Sequence, residues 1–349
     1  MDEQKLQRID DIDRQILALL KERCLIHSEL SEKDRSFPSH PRSWFENEAA
    51  EHPLLTDSLI AIFREIDSAE YEHFRPLSVA FLGPRGTFTH QAAIKYFGRD
   101  RNWDSLDTIE DVFAAVNRKT IDFGVVPVEN STEGAVNVTF DLFQRYQVRI
   151  CGEIYLPIHH CMMVAPETDP SEVTVIYSHP QVFGQCRRWL LKHFADAELK
   201  ETSSTAQAAE IATTQPNAAA LGSELPAELY NLKIIHRNIE DFANNTTRFL
   251  VLAHPGRELP PPSGDDKTSI MFGLADRPGV LYDALLPFKR HNVNMTMIES
   301  RPSKHQNWEY VFFVDFTGHQ TDPGCTAAIL ELKERCQFFT ILGSYPRGH

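Results

Sequence analysis

The sequence predicts a multi-domain protein with an all-α N-terminal unit, an α/β middle region and an α+β C-terminal unit. Apolar residues recur at helical spacing within residues 1–74, and short apolar runs alternate with helical stretches over residues 76–253. The last block, residues 268–349, has the order strand, helix, strand, strand, helix, strand. A chain of 349 residues has room for two or three domains at about 150 residues each.

The N-terminal unit is predicted to consist of helices. Ile9, Ile12 and Ile16 fall on one face of a helix over residues 4–30, and apolar spacing favours a second helix over residues 59–72. Positions 1–75 hold 17 acidic and 10 basic residues, so this unit carries half of the net charge of −14.

The middle region is predicted to be an α/β fold. Strand-like runs such as SVAFLG (78–83) and DFGVVPVEN (122–130) alternate with helical runs such as HQAAIKYF (90–97). The alternation ends at HPGRELPPPSGDDK (254–267), where prolines and glycines crowd without apolar periodicity. We therefore expect a linker over residues 254–267.

The C-terminal block is predicted to be a ferredoxin-like βαββαβ unit. In chain order its strand-like and helical runs are TSIMFGL, VLYDALLPFKRHN, NMTMIES, YVFFVDFTG, TAAILELKERC and FFTILGSY.

Composition excludes several classes of protein. A net charge of −14 argues against nucleic acid or an anionic membrane surface as the main partner. No apolar run approaches the roughly 20 residues of a membrane span, and the N-terminus resembles neither a secretory signal nor a transit peptide, so we expect a cytoplasmic protein. The six cysteines and fifteen histidines show no zinc spacing, and no dinucleotide GxGxxG occurs, so we expect neither a metal nor a cofactor.

Four places put polar residues directly after predicted strands, where ligands bind in open α/β sheets. The first is FLGPRGTFTHQAA (81–93), whose Thr87 suits either an anion site at a helix start or a plain helix cap. The second is GVVPVENSTEGAV (124–136). There Glu129, Asn130 and Ser131 suit either a site that orients a substrate and exchanges protons or an Asx turn.

The third place is VIYSHPQVFGQC (175–186), where Ser178 ends a strand and Gln185 follows within the next helix; it suits either substrate contacts or a packed turn. The fourth is NNTTRFLVL (244–252), where Thr247 offers a hydrogen-bond donor and Arg248 a bidentate clamp for a carboxylate. No catalytic triad signature or cysteine–histidine context occurs, which leaves general-acid and electrostatic chemistry.

Together these strings resemble prephenate dehydratase. Over residues 78–253 the strings that occur in the family's order are FLGPRGTFTH, PVENSTEGAV, HHCMMV, YSHPQVFGQC, TSSTAQAAEIA, AALGSELPAELYNL and NTTRF. The resemblance implies a two-lobed, periplasmic-binding-protein-like catalytic domain. It also implies conversion of prephenate to phenylpyruvate in L-phenylalanine biosynthesis, with loss of CO2 and water and without a metal or cofactor.

The resemblance further implies roles for individual residues. Thr247 matches the threonine before Arg-Phe and is expected to donate a proton to the leaving hydroxyl. Arg248 is expected to clamp a carboxylate of the substrate, although an arginine so close to a strand also suits a structural role. The residues that match further catalytic positions are Glu129, Asn130 and Gln185. The other expected substrate contacts bear hydroxyl groups: Thr87, Ser131, Ser178, Ser204 and Thr205.

The C-terminal block resembles the ACT regulatory domain attached to this enzyme. RPGVL (277–281) and ESRP (299–302) match its two phenylalanine-contact motifs, which implies feedback inhibition by phenylalanine. The residues implied in this binding are Pro278, Gly279, Val280, Leu281, Glu299 and Ser300. The same block also suits a structural oligomerisation module. A single unit leaves its sheet half covered, so we expect a homodimer or homotetramer.

The helical unit resembles a chorismate mutase domain with a degenerate pocket. Arg23 matches a pocket arginine, but the positions expected to hold an arginine, a lysine and a glutamine are occupied by Leu6, Asp34 and Phe74. Chorismate is a dianion that needs such cations, so we expect weak or absent mutase activity. Three alternatives stay open: a bifunctional enzyme with residual mutase activity, an arogenate dehydratase, and a non-catalytic amino-acid sensor.

Overall fold

A computed structural model of the chain describes residues 3–29, 40, 42–49, 55–74, 76–99, 101–257, 261–303 and 310–348. The chain divides into two compact units, Met1–Leu77 with Phe97–Arg101 and Ser78–Tyr96 with Asn102–His349.

The described part of the first unit contains the helices α1 (Glu3–Glu29), α2 (Arg42–Glu48) and α3 (Thr56–Phe74). α1 and α3 match the two predicted helices, whereas α2 was not predicted. Asp34 lies outside the described residues, and so does the side chain of Phe74.

Aromatic packing explains α2. Its Trp44 and Phe45 lie against Phe63 of α3, with ring centroids 5.7 and 5.4 Å apart. Such edge contacts hold a helix too short to be stable alone. α1 by contrast leaves a row of large apolar side chains exposed: Leu6, Ile9, Ile12, Ile16, Leu17, Leu19, Leu25 and Ile26.

From Ser78 onward the chain forms two α/β lobes and a C-terminal sheet. Its strands are β1 (Ser78–Leu82), β2 (Asn102–Leu106), β3 (Phe123–Asn130), β4 (Gly134–Ala135), β5 (Arg149–Pro157), β6 (Cys161–Val164), β7 (Val175–Ser178), β8 (Glu198–Glu201), β9 (Ala218–Gly222), β10 (Lys233–His236), β11 (Thr246–Ala253), β12 (Asp266–Gly273), β13 (Met295–Pro302), β14 (Tyr310–Thr317) and β15 (Phe338–Pro346). Its helices are α4 (Phe88–Phe97), α5 (Ile109–Asn117), α6 (Asn137–Phe143), α7 (Pro180–Gln185), α8 (Arg187–His193), α9 (Thr205–Thr214), α10 (Leu225–Leu229), α11 (Val280–Arg290) and α12 (Pro323–Lys333).

Each lobe is built on a mixed sheet. In the first lobe the strand order is β2-β1-β3-β11-β5, with β4 beside β3, and β11 runs antiparallel to both of its neighbours. In the second lobe the order is β10-β6-β9-β7-β8. The chain leaves the first lobe after β5 and returns to it in β11, so two crossings join the lobes. This is the two-lobed architecture that the resemblance implies.

The C-terminal sheet has the predicted ferredoxin-like order, β13-β14-β12-β15, with every neighbouring pair antiparallel. On one face, α11 and α12 pack over a core that includes Phe288 and Leu332. On the other face, Phe313 and Tyr345 share a core with Phe140 of the first lobe. The C-terminal domain is therefore packed directly on the first lobe.

β12 begins two residues inside the predicted linker. Asp266 and Lys267 are buried strand residues rather than linker residues. The reason is charge pairing, because Lys267 Nζ lies 2.8 Å from Oε2 of the buried Glu153 on β5. Asp266 and Lys267 form a polar dipeptide after a proline-rich run, and this pattern does not indicate that Lys267 pairs with Glu153.

No helix in the described ranges is long and apolar enough to span a bilayer. The same ranges contain no group of three or more histidine, cysteine or acidic side chains suited to a metal ion.

Candidate active site

β3 and β11 bring the motifs PVEN and NTTRF side by side. β3 ends at Asn130, the antiparallel β11 begins at Thr246, and Asn130 lies opposite Thr247 in the ladder. On its other side β11 pairs Thr246 with Pro157, where the chain leaves the first lobe. A buried strand thus delivers its last polar side chain to the edge where the lobes are joined.

The amide of Asn130 is held in one orientation. Its Oδ1 accepts the backbone N–H groups of Thr132 at 2.9 Å and Glu133 at 3.1 Å. Backbone nitrogens can only donate, so the oxygen must face them and the NH2 group must face away. Nδ2 then donates to Thr247 Oγ1 and to Asn245 Oδ1, both at 2.8 Å. The Asx turn predicted for this motif is present, and the same side chain also reaches Thr247. The role of the motif toward a substrate stays a prediction.

This contact decides what the Thr247 hydroxyl can do. Its oxygen accepts from Asn130 Nδ2, so its own hydrogen stays free to donate to a ligand. A donor on the oxygen also strengthens the hydroxyl as a donor, since neighbouring hydrogen bonds polarise one another. Asn245, which is buried and completes this cluster, was not predicted from the sequence. The sequence feature that could have indicated Asn245 is the second asparagine of NNTTRF.

Gln185 is oriented by a histidine that was given no role from the sequence. His160 Nε2 lies 2.6 Å from Gln185 Oε1. Burial lowers the pKa of His160, so the ring is neutral and its Nε2 hydrogen donates to the glutamine oxygen. The Gln185 amide nitrogen is then turned away from His160 and can donate to a ligand. The string HHCMMV contained His160 but carried no chemical pattern by itself.

The two segments that connect the lobes also connect the cluster of Asn130 and Thr247 to the pair of His160 and Gln185. Ile158 N donates to Asn245 O at 2.8 Å, and Ile239 N donates to His160 O at 3.0 Å. Asp241 N also donates to Gln185 O at 2.7 Å. Residues from both lobes are thereby tied to the same pair of connecting segments.

Two helix starts converge between the lobes. Thr87 before α4 donates to Leu82 O and accepts from His90 N, so it acts as a cap. Ser204 caps α9, because its Oγ accepts Gln207 N at 3.1 Å. The turn before α4 packs on the first turn of α9, since a Cβ built at Gly86 would lie 3.5 Å from the Ala206 Cβ. Helix N-termini attract anions, and here two of them lie together.

Further contacts close the lobes on each other. Ser223 Oγ of the second lobe donates to Gly86 O of the first at 3.2 Å. The Gln181 amide of α7 donates to the Glu133 carboxylate, which follows β3. Buried Thr205 lies against Gly222 at the end of β9, and its role as a substrate contact stays a prediction.

Glu129 and Ser131 flank Asn130 but have different surroundings. Ser131 Oγ donates to Asn244 O and accepts Thr246 N, so it joins the end of β3 to the start of β11. Glu129 lies opposite Arg248 in the ladder, and none of the hydrogen bonds between described residues involves its carboxylate. Their roles toward a substrate stay predictions.

The structure contradicts the prediction for Ser178. This residue is 0% exposed, and its hydroxyl donates to Leu221 O at 2.9 Å. As the last residue of a strand buried along its whole length, it holds β7 to β9 and is not open to a substrate.

The prediction that Arg248 clamps a substrate carboxylate is also wrong. Successive residues of a strand point to opposite faces, so Arg248 points away from the side of Thr247. Its Nε lies 2.7 Å from Glu153 Oε2 and its Nη1 2.6 Å from Asp315 Oδ2, in a pocket where the Arg248 side chain is 4% exposed. Burial lowers the pKa of Arg248, but Asp315, Tyr345 and Glu153 outweigh it and raise that pKa well above its usual value. Arg248 therefore binds the C-terminal domain and not the substrate.

The residues predicted to bind phenylalanine lie on two elements of the C-terminal domain. Gly279 has φ of +79° at the start of α11, a conformation that favours glycine, and Pro278 beside it is exposed. Glu299 and Ser300 lie on the edge strand β13. Because successive side chains of a strand alternate, these two residues point to opposite faces. Glu299 shares the face of Phe313, which packs on the first lobe, whereas Ser300 is exposed.

Within the first unit, Arg23 forms ion pairs with two acidic partners. Its Nη2 lies 2.6 Å from Asp67 Oδ1 and its Nη1 2.6 Å from Glu70 Oε2, and both carboxylates are buried. His27 Nδ1 adds a contact of 3.2 Å to the Glu70 carboxylate. Leu6 is exposed and contributes no charge.

Sequence comparison matches two parts of the chain to known families, "Prephenate dehydratase" over residues 79–257 and "ACT domain" over residues 268–334. The bifunctional chorismate mutase/prephenate dehydratase of Aquifex aeolicus (strain VF5) is 44% identical over 354 residues, covering 98% of this chain and 97% of that protein.

Two solved structures share the fold. Prephenate dehydratase in complex with L-Phe from Arthrobacter aurescens matches with a TM-score of 0.71 and 32% identity, over 78% of this chain and 90% of that chain. GqqA, described as a novel type of quorum quenching acylase, matches with a TM-score of 0.71 and 29% identity, over 77% of this chain and 97% of that chain.

Proposed function

The chain belongs to the prephenate dehydratase family, and from that premise we propose that it acts as a carbon–oxygen lyase that converts prephenate to phenylpyruvate. In this reaction the ring carboxylate leaves as CO2 and its bonding electron pair enters the ring. The C–O bond at position 4 breaks as the ring becomes aromatic, and the departing hydroxyl takes up a proton and leaves as water.

The observation that carries the proposal is the hydrogen bond from Asn130 Nδ2 to Thr247 Oγ1. It leaves the Thr247 hydrogen directed at a ligand, where it protonates the leaving oxygen. The Asn130 N–H stabilises the threonine oxygen as its proton departs, and solvent restores that proton. Glu129 is proposed as a further proton-relaying group and Gln185 as an orienting donor.

The anionic groups of prephenate require local donors, because the net charge of the chain is −14. Supporting features are the N-termini of α4 and α9, which carry Thr87, Ser204 and Thr205, and the amide nitrogen of Gln185. Arg248 is not part of this set. Binding through backbone dipoles and neutral donors allows an acidic protein to take an anionic substrate.

The same geometry argues against acyl transfer, the activity named for GqqA. Acyl transfer by a hydroxyl nucleophile needs a base that accepts the hydroxyl proton. Asn130 donates to Thr247 and cannot accept its proton from the same nitrogen. The cluster therefore suits a proton donor and not an activated nucleophile.

A parallel assay with prephenate and arogenate tests the proposal. We expect phenylpyruvate from prephenate by ultraviolet absorbance and slower formation of phenylalanine from arogenate. Faster turnover of arogenate would reassign the substrate. Folded protein that forms neither product would overturn the proposed reaction and leave the amino-acid sensor as the better description.

We further propose that phenylalanine inhibits the enzyme at the C-terminal domain, through the backbone of residues 278–281 and through Glu299 or Ser300. Support comes from the match to the ACT family and from the phenylalanine named in the Arthrobacter structure. The domain ranges 1–74, 76–253 and 268–349, the homodimer or homotetramer and the cytoplasmic location also stay proposals.

The first 74 residues are proposed to be a mutase-like domain with weak or absent activity. Arg23, which matches a pocket arginine, is neutralised by Asp67 and Glu70. A doubly paired guanidinium has little attraction left for a dianion. Because relatives of the chain are named as bifunctional, the proposal of weak or absent mutase activity concerns the residues of this chain and not the family.

A further inference from the structure

The residue after Thr247 is held by a closed ring of buried polar groups from the C-terminal domain. Arg248 Nη2 donates to Tyr345 Oη at 3.1 Å, and Tyr345 Oη lies 2.6 Å from Ser269 Oγ. Ser269 Oγ in turn donates to Asp315 Oδ1 at 2.5 Å. The other oxygen of Asp315 pairs with Arg248 Nη1 at 2.6 Å.

Three hydrogen bonds run from Arg248 through Tyr345 and Ser269 to Asp315, and the ion pair of Arg248 Nη1 with Asp315 closes the ring. Ser269 uses its hydrogen on Asp315, so the hydrogen between Ser269 and Tyr345 must come from the tyrosine, whose oxygen is left to accept from Arg248. Each group therefore has one arrangement, and all four side chains are buried. Such a network holds the guanidinium in a single place.

The sheet of the first lobe alone makes fewer contacts with the Arg248 guanidinium than the sheet and the C-terminal domain make together. The ladder between β11 and β3 shifts register between Arg248 and Phe249, so its regular spacing is interrupted directly after the arginine. A bulge permits extra twist of the strand at this point. Among the described residues of the first lobe, only Glu153 is a charged partner of the guanidinium, through Nε.

Thr247 and Arg248 share one peptide unit and point to opposite faces of β11. A twist of the strand that moves the guanidinium therefore moves the threonine hydroxyl in the opposite sense. Proton donation depends steeply on placement, since a displacement of about 1 Å can lower a rate by about 100-fold.

We propose that Asp315, in the C-terminal domain, is a positioning residue for Thr247 and acts through Arg248. The inference rests on the proposed dehydratase function. It makes the C-terminal domain a structural part of the active site. It also gives the phenylalanine site a short route to Thr247, because Asp315 pairs in the ladder with Met297 of β13, the strand that carries Glu299.

Asp315→Asn tests the proposal, with Asp141→Asn as a matched control. Asp141 pairs with Arg301 across the same junction, at 3.0 Å between Arg301 Nε and Asp141 Oδ1, but lies outside the ring. In Asp315→Asn we expect kcat to fall about tenfold, KM for prephenate to stay within about twofold, and phenylalanine inhibition to weaken. In Asp141→Asn we expect all three values to stay within about twofold of the parent.

A folded Asp315→Asn protein with the kcat of the parent would overturn the proposal, and so would a loss confined to KM. If Asp315→Asn does not fold, Tyr345→Phe replaces it, because this change removes only the hydroxyl of the ring. We then expect kcat about threefold lower at constant KM, and an unchanged kcat would overturn the proposal. A parent without any dehydratase activity would overturn the proposed function itself, which is a different result from an active parent that Asp315→Asn leaves unaffected.

Discussion

The cluster around Thr247 and the cluster around Arg23 both contain residues that family resemblance assigns to a substrate, yet their surroundings differ. The Thr247 oxygen accepts a hydrogen bond from Asn130, which leaves the hydroxyl hydrogen for a ligand. Arg23 is paired with the buried carboxylates of Asp67 and Glu70. A motif residue indicates function only where its neighbours leave a donor for the substrate.

The first prediction separates the two clusters by substrate. Prephenate should yield phenylpyruvate, whereas chorismate should be consumed no faster than it rearranges without enzyme, because the Arg23 charge is already neutralised. Chromatography of both reactions over the same period measures this difference. Consumption of chorismate in proportion to enzyme concentration would restore the bifunctional alternative.

The second prediction tests what the Asn130 amide adds. Asn130→Ala should lower kcat by about 100-fold, because the threonine oxygen loses the N–H that stabilises it. Thr132→Ala is the matched control, since the Thr132 hydroxyl contacts only the oxygen end of the same amide. Steady-state kinetics of the two folded variants decide the matter. Equal kcat values would mean that Asn130 only shapes the turn.

The third prediction asks whether regulation can be separated from both clusters. Gly279→Ala should raise the phenylalanine concentration for half inhibition about fivefold and leave kcat unchanged, because alanine strains the backbone at φ of +79° by about 1 kcal/mol. Gly264→Ala provides the control, since Gly264 has φ of +88° and open space around it. If both variants shift inhibition equally, residues 278–281 do not form the phenylalanine site.

The smallest predicted effect concerns acid stability of the turn before α4. Burial lowers the pKa of His90 to about 4, and its Nδ1 accepts Gly86 N at 3.1 Å. An unfolded histidine titrates near pH 6.5, so the unfolded chain binds the extra proton and the free energy of unfolding falls as pH drops from about 6.5 to 4.

His90→Gln should make this decline shallower by about 1 to 3 kcal/mol, measured by urea unfolding across that range. His193→Gln, a change at an exposed histidine, should follow the parent. Parallel pH curves for the parent and His90→Gln would rule out His90 as the source.

Most of the fold could be predicted, because its elements have strong local patterns. The buried run of β3 and the βαββαβ order both appear in the structure. α2 was missed because it is short and is stabilised by contact with Phe63 rather than by its own periodicity. Likewise, the start of β12 depended on a buried partner of Lys267 far away in the chain.

The candidate site was harder to predict for the same reason. Asn130 and Thr247 are 117 residues apart, and only family motifs brought them into one hypothesis. Arg248 was misassigned because it follows Thr247 directly in the motif. Successive side chains of a strand point to opposite faces, so the Arg248 side chain lies on the face opposite to Thr247. Ser178 was misassigned because burial of its strand end cannot be read from residue type.

The most direct test of the central claim compares Thr247→Val, Thr247→Ser and Thr246→Ala in phenylpyruvate formation from prephenate. Valine keeps the shape of threonine without the hydroxyl, serine keeps the hydroxyl, and Thr246 is the adjacent threonine on the other face of the strand. We expect kcat to fall by about 100-fold or more in Thr247→Val and to stay within about tenfold of the parent in the other two. A folded Thr247→Val enzyme with near-parent kcat would contradict the account.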